Sequence, residues 1–218
     1  MQGFFITLEG GEGSGKTTQL RALLTHLRSL EQEAVETRDP GGTSIGNQIR
    51  NLLLDGENAR MAPLTELLLY EASRAQLVRE IVRPALEAGR IVVCDRFADS
   101  TLAYQGYGRG LDLNLIGQLN ELATCGIRPD LTFLLDIDPA VGLERVSHRL
   151  AAPRVRRDRL EDEALAFHDR VRQGYRALAA AEPGRVIVLD ATHGILNLAG
   201  EIGRQVDARL GLPDGLRR

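Results

Sequence analysis

Tryptophan is absent from this 218-residue chain, cysteine occurs twice, and lysine occurs once among 27 basic residues. Each scarcity excludes something. Two cysteines cannot build the disulfide framework of a small secreted fold. Cys94 falls in an apolar run and Cys125 at the end of a helical pattern, positions typical of buried or inert thiols, so a reducing cytoplasm is expected. No apolar run approaches the roughly 18 residues a membrane helix needs. Residues 4–8 read as a strand rather than a leader, so no membrane partner is expected. Positive charge is not in excess either: the net charge of −3 argues against a general nucleic-acid binder. The near-absence of lysine is the most informative of these. Guanine-specific switch proteins read their base through Asn-Lys-x-Asp, and here the lone lysine sits in another motif.

That motif is Gly10, four variable positions, then Gly15, Lys16 and Thr17, the phosphate-loop pattern. An apolar strand-like run precedes it at 4–8, and Leu20, Leu23, Leu24, Leu27 and Leu30 follow at helical spacing. A strand feeding a glycine loop that opens a helix makes an anion site. The glycines let backbone N–H groups converge on phosphate oxygens, and the helix N-terminus adds partial positive charge. Lys16 would reach the β- and γ-phosphates of a nucleoside triphosphate, and Thr17 would ligate Mg²⁺. A compact ammonium on a flexible stem suits that position better than a flat guanidinium fork.

Further strands are predicted at 34–38, 91–94, 131–135 and 186–189, and helices near 44–53, 63–88, 112–125, 139–150, 162–181 and 198–210. Ser44 is the expected cap of the second helix, and Pro84 is expected to kink or divide the third. Five strands alternating with helices predict an α/β fold, an open five-stranded parallel sheet with helices on both faces. Residues 1–211 would form one domain, with a lid at about 145–160 and a tail at 212–218. Ligands of such sheets gather at the carboxyl ends of the strands. Glu9, Arg38-Asp39, Asp95-Arg96, Asp136 and Asp190 stand at those ends.

Arg38, Arg50, Arg74 and Arg96 come from different elements, as guanidinium forks converging on a second phosphate would. Arg145, Arg149, Arg154, Arg156, Arg157 and Arg159 crowd one segment around Ala151-Ala152-Pro153, which suits a lid closing over a transferring phosphoryl group. Residue chemistry alone leaves two other readings open. One is a nucleoside monophosphate kinase with a different acceptor base. The other is a non-enzymatic, nucleotide-dependent regulator that turns its arginine segment toward nucleic acid.

Longer blocks narrow the choice. LEGGEGSGKTTQ, TRDPGGTSIGNQIRNLLLD, ELLLYEASRAQ, VVCDRFADSTLAYQGYGRG, RPDLTFLLDIDPAVGLER, DRLE and VIVLDAT together closely resemble the bacterial thymidylate kinases, enzymes of the P-loop nucleoside monophosphate kinase type. The resemblance implies phosphorylation of dTMP to dTDP by Mg-ATP, homodimers, and no nucleic-acid partner. It implies an ATP site at Gly10, Gly11, Glu12, Gly13, Ser14, Gly15, Lys16, Thr17 and Thr18, with Asp190 and Thr192 near the adenine. Asp95 would help Thr17 hold Mg²⁺, and Arg96 would contact donor and acceptor phosphates. On the dTMP side it implies Glu9, Asp39, Arg50 on the phosphate, Tyr70 stacked on thymine, Arg74 bonded to the base, and Ser100 and Gln105 at the base edge. Tyr104 would fill the space a ribose 2′-hydroxyl needs. The loop carries no arginine, matching the subtype whose catalytic arginine comes from the lid, at Arg149 here. Tyr70 and Asp39 stand where the family generally has phenylalanine and glutamate.

The acceptor phosphate is largely ionised at neutral pH, so no general base is needed, and none of His26, His148, His168 and His193 is assigned one. Catalysis then rests on cations. Lys16→Ala or Arg96→Ala should each lower kcat by about 10²–10³; steady-state turnover close to the parent's would refute the assignment.

Overall fold

A computed structural model describes residues 3–150 and 159–212, with no account of the side chains of residues 149 and 150. Five strands, β1 (Phe4–Glu9), β2 (Ala34–Arg38), β3 (Ile91–Asp95), β4 (Leu131–Asp136) and β5 (Val186–Asp190), form one parallel sheet in the order β2-β3-β1-β4-β5. The three middle strands are almost wholly buried because helices cover both faces, and a strand covered on both sides reads as a near-continuous apolar run. Alternation along each strand then decides which cluster a residue joins. Ile6, Leu8 and Val93 meet Leu20, Leu23 and Leu27 of α1 (Lys16–Ser29) and Leu198, Ile202 and Val206 of the C-terminal helix. Phe5, Val92 and Cys94 face the opposite way, onto Leu77, Val78, Val82 and Phe97.

Between β2 and β3 the chain forms α2 (Ser44–Leu54) and α3 (Pro63–Leu77), which runs through a widened π-type stretch, Val78–Val82, into α4 (Arg83–Glu87). Thr43, rather than the expected Ser44, caps α2: its hydroxyl accepts from the Gly46 N–H at 2.9 Å. Pro84 neither breaks nor ends the helix. It lacks an N–H, and its ring crowds the carbonyl four residues back, so the turn ahead of it widens.

After β3 comes a segment absent from the sequence-level reading, α5 (Ala98–Thr101) continued by a second π-type stretch, Leu102–Gly108. Then follow α6 (Leu113–Thr124), β4, α7 (Pro139–Leu150), α8 (Leu165–Ala181), β5 and α9 (Ile195–Leu210). Tyr104, Phe167, Val171 and Tyr175 pack together where α8 lies against the stretch after α5. Because all strands are parallel, the five polar strand ends share one edge. One of them serves the fold: Asp136 accepts from Arg172 at 2.8 and 3.0 Å and from Arg176 at 2.7 Å, tying α8 to β4. Cys94 is buried, Cys125 is exposed, and both are unpaired thiols.

The loop between β1 and α1 leans on α7 backbone to backbone. A Cβ on Gly142 would run into the Glu12 carbonyl oxygen, and one on Gly13 into the Gly142 carbonyl. Gly142→Ala should therefore lower the unfolding free energy by about 1–3 kcal/mol through overpacking. Gly200→Ala, which meets only the end of Arg204, should cost nothing. Urea titrations of the two variants check this, and equal midpoints would contradict it.

Candidate active site

Three glycines of the loop hold positive φ, Gly10 at 142°, Gly13 at 69° and Gly15 at 91°, where a side chain would be strained. The chain can thus curl with its N–H groups inward at the start of α1. Lys16, the first residue of that helix, turns back over the curl. Its ammonium donates to the carbonyls of Gly10 and Gly11 at 3.1 and 2.8 Å and to Ser14 Oγ at 3.3 Å. Burial, with the Arg96 charge beside it, pulls its pKa down to about 8.

Arg96 follows β3 with φ +68°, an uncommon conformation for a residue with a side chain, pinned by its N–H to the Leu8 carbonyl at 3.0 Å. Its guanidinium is the centre of the site. Nη1 donates to the Gly10 carbonyl at 2.9 Å, Tyr175 Oη at 3.0 Å and Ser100 Oγ at 3.3 Å. Nη2 donates to Glu12 Oε1 at 2.7 Å and Tyr104 Oη at 3.1 Å. Burial opposes charge on Glu12, but Arg96, Lys16 and the Tyr104 hydroxyl at 2.7 Å outweigh it and bring its pKa down to about 2.

Two hollows meet at Arg96. An open groove runs along Gly13, Ser14, Gly15, Lys16, Thr17 and Thr18 past Asp95 to Arg145. A smaller cavity is lined by Tyr70, Arg74, Ser100, Tyr104, Gln105, Leu54 and Leu160. Glu12, Asp39, Arg50 and Arg96 border both. The cavity's lining, apolar and aromatic walls with a few convergent polar groups, suits a small-molecule ligand. Thr17 Oγ1 donates to Asp95 Oδ2 at 3.1 Å, so the two expected magnesium ligands already touch. Among the described residues no three His, Cys, Asp or Glu side chains form a cage. One hydroxyl and one carboxylate beside a phosphate groove fit Mg²⁺, which keeps waters and takes its other ligands from substrate.

Most expected site residues thus converge, with qualifications. Glu9 lies behind the cavity: it accepts from the Phe97 N–H and Ser100 Oγ at 2.7 Å and Tyr175 Oη at 2.8 Å. All five N–H groups of Arg74 are engaged, by Asp39 at 2.6 Å, Glu71 at 2.9 Å, Asn120 and Thr101 at 2.6 Å, and the Phe97 carbonyl at 3.5 Å. Only the last is long enough for a ligand atom to replace it readily. Asp39 Oδ1 is buried without a hydrogen-bond partner among the described residues. Gly11 also lines an adjoining hollow under the loop. Asp190 and Thr192 close a turn at the far end, Thr192 donating twice to Asp190 Oδ1 at 2.8 and 2.7 Å. The Arg149 side chain and Arg154, Arg156 and Arg157 lie outside the described residues.

Comparison with known proteins places the chain as a whole. The family profile described as thymidylate kinase matches residues 8–202. The chain belongs to the thymidylate kinase family. It is 55% identical over 208 residues to the thymidylate kinase of Deinococcus radiodurans, covering 95% of this chain and 98% of that one. It is 53% identical over 208 residues to that of a Synechococcus strain, covering 95% and 96%. A crystal structure of thymidylate kinase from Ehrlichia chaffeensis superposes with a TM-score of 0.73 at 35% identity, over 94% of this chain and 99% of that one. The fold is accordingly that of the P-loop kinases.

Sequence reasoning missed Tyr175, which binds Glu9, Ser100 and Arg96 from α8. The one available signal was its helical spacing from Phe167 and Val171. The same reasoning grouped Arg145 with the lid arginines; that guanidinium bridges the Gly13 and Ala191 carbonyls at 3.4 and 3.0 Å.

Burial and the charge of Asp99 push the Glu9 pKa up from 4.5 to about 7. Between those values the folded chain holds a proton that the unfolded chain has lost. The resulting stabilisation is complete below pH 4.5 and disappears as pH rises through 7. Glu9→Gln should flatten the fall in stability over this window, read from urea midpoints at pH 5 and 7.5; an equally steep fall would refute it.

Proposed function

We propose that this protein transfers the γ-phosphoryl group of ATP to the phosphate of dTMP, forming dTDP and ADP. The observation that carries the reading is the meeting of the two hollows at Arg96, with the phosphate loop on one side and the cavity holding Tyr70, Tyr104 and Gln105 on the other. An acceptor phosphate oxygen attacks the γ-phosphorus and the bridging oxygen leaves with ADP. That acceptor oxygen is already ionised at neutral pH, so the residues need only align two polyanions and offset their repulsion.

The cations suit that task. Burial and the nearby charge of Arg38 lower the Arg50 pKa, and Arg96 presses on both Arg50 and Lys16. A bound polyphosphate would relieve that crowding. Lys16 would exchange the Gly10 and Gly11 carbonyls for phosphate oxygens, while Arg50 and Arg96 take the acceptor phosphate. Mg²⁺ held by Thr17 and Asp95 would supply charge neutralisation at the β- and γ-oxygens. Asp39 Oδ1, which has no donor among the described residues, would accept from the nucleotide. Asp190 and Thr192 would flank the adenine, and Glu9 would support the acceptor site from behind. Arg149 is assigned the catalytic role of a closing lid over 145–160, supported by Arg145 and Val146 lining the groove where that segment begins.

A homodimer belongs to the same reading. Ile45 and Leu52 of α2, Leu64 and Leu68 of α3, and Leu115 and Leu122 of α6 are exposed on three helices packed side by side. We place the enzyme in the cytoplasm, where its substrates are, as a single domain over 1–211.

ADP release from Mg-ATP with dTMP, dUMP, dCMP, dGMP and AMP offered singly tests the function. dTMP should turn over fastest, with dUMP slower, since one methyl contact is worth only about 1–3 kcal/mol. A faster rate with dCMP, dGMP or AMP, or ATP consumption without acceptor, would overturn it. Tyr104→Ala should raise UMP turnover relative to dTMP. Tyr104→Phe should keep the preference and lose about tenfold in kcat, because its hydroxyl holds Glu12 and Arg96. An unchanged dTMP/UMP ratio in Tyr104→Ala would count against the sugar filter.

A further inference from the structure

Glu66 is a carboxylate on α3 with no exposed surface, outside every role assigned above. It accepts from Gln105 Nε2 at 2.8 Å, from Arg109 Nε and Nη2 at 3.1 and 3.0 Å, and from Arg159 Nη2. Arg109 also pairs with Glu163, and Arg159 Nε donates to the Leu53 carbonyl at 3.0 Å, so each guanidinium is held from a second side as well. Burial pushes the Glu66 pKa up, but the hydrogen bonds from Arg109 and Gln105 and both guanidinium charges prevail and hold it below the usual carboxylate range.

An ionised carboxylate can only accept hydrogen bonds. The two ends of a glutamine amide look alike in shape, yet here chemistry decides between them: Gln105 must give its NH₂ group to Glu66. Gln105 lines the cavity beside Tyr70 and Tyr104, and among the described residues no hydrogen-bond donor reaches its Oε1. The carbonyl oxygen is therefore the end offered to a ligand.

We propose that Glu66 is a positioning residue that sets the choice of base, by locking the Gln105 amide so that a hydrogen-bond acceptor faces the acceptor nucleotide. Thymine and uracil carry an N–H at ring position 3 and can donate to that oxygen. Cytosine carries a lone pair there and is repelled. Cytosine would be welcome only if the amide turned over, and turning would set Gln105 Oε1 against the Glu66 carboxylate in a buried place. The inference deepens the proposed function and rests on it.

The test compares kcat/KM for dTMP and dCMP with the full chain and Mg-ATP. In Glu66→Gln the facing amide can donate or accept, so Gln105 is released, and the dTMP/dCMP ratio should fall about tenfold or more. A purely structural Glu66 would lower both acceptors in parallel and leave the ratio untouched, which overturns the proposal. Gln105→Met removes the acceptor directly and should lower the ratio to a similar level, with Glu66→Gln adding nothing in that background. Should Glu66→Gln fail to fold, Gln105→Met still decides: a parental ratio there removes Gln105 from base choice, and Glu66 with it. A parent chain that phosphorylates no dTMP would instead fault the proposed function, an outcome distinct from an active parent whose variants keep its ratio.

Discussion

Like charges held close together, with only the chain's own acceptors set against them, are the constraint on which this site depends. Arg96 presses on both Lys16 and Arg50 at the mouth of the phosphate groove. The ligand-free chain tolerates this by lending them its own acceptors: backbone carbonyls of the loop for Lys16, Glu12 for Arg96, and the Pro40 carbonyl at 3.0 Å for Arg50. The substitutes are weaker partners than phosphates. A nucleotide pair arriving from both sides would replace them and discharge the crowding, which is the electrostatic preorganisation that phosphoryl transfer needs.

Holding that arrangement requires a rigid frame, and parallel topology supplies it. β1 lies between β3 and β4, so the loop after it sits beside the ends of its neighbours, and Arg96 at the end of β3 reaches the loop carbonyl of Gly10. Gly13 and Gly142 let α7 press backbone against loop, while α8 closes the far side with Tyr175. Buried charge is used twice over. Around Arg74 it fixes the floor of the acceptor cavity through Asp39, Glu71 and Asn120, and around Glu66 it fixes the cavity's far wall. Such networks bring orientation more than net stability, since desolvation offsets most of the Coulombic gain.

Much of this was legible in the residues. Strand positions followed from apolar runs, the phosphate loop from its glycines and lone lysine, and the crowding of polar strand ends from strand direction alone. What escaped was of a different kind. The turn at 98–108 has no clean helical period because its stretch from Leu102 to Gly108 is π-type. Thr43 and Ser44 are equally plausible caps until the backbone chooses between them. Glu9 reads as a polar strand end in the sequence, and its contacts with Ser100 and Tyr175, far along the chain, emerge only from the fold.

The sequence by itself determined the fold class, the donor-phosphate loop and the family, because those depend on local periodicity and on residues adjacent in the chain. Only the tertiary structure decided which charges neutralise one another. Arg74 with Asp39 lies 35 positions apart, Glu66 with Arg159 93, and Arg96 with Glu12 84. Such pairings depend on which strand ends and helix faces the sheet order brings together, and no local pattern of residues encodes a distance of that kind.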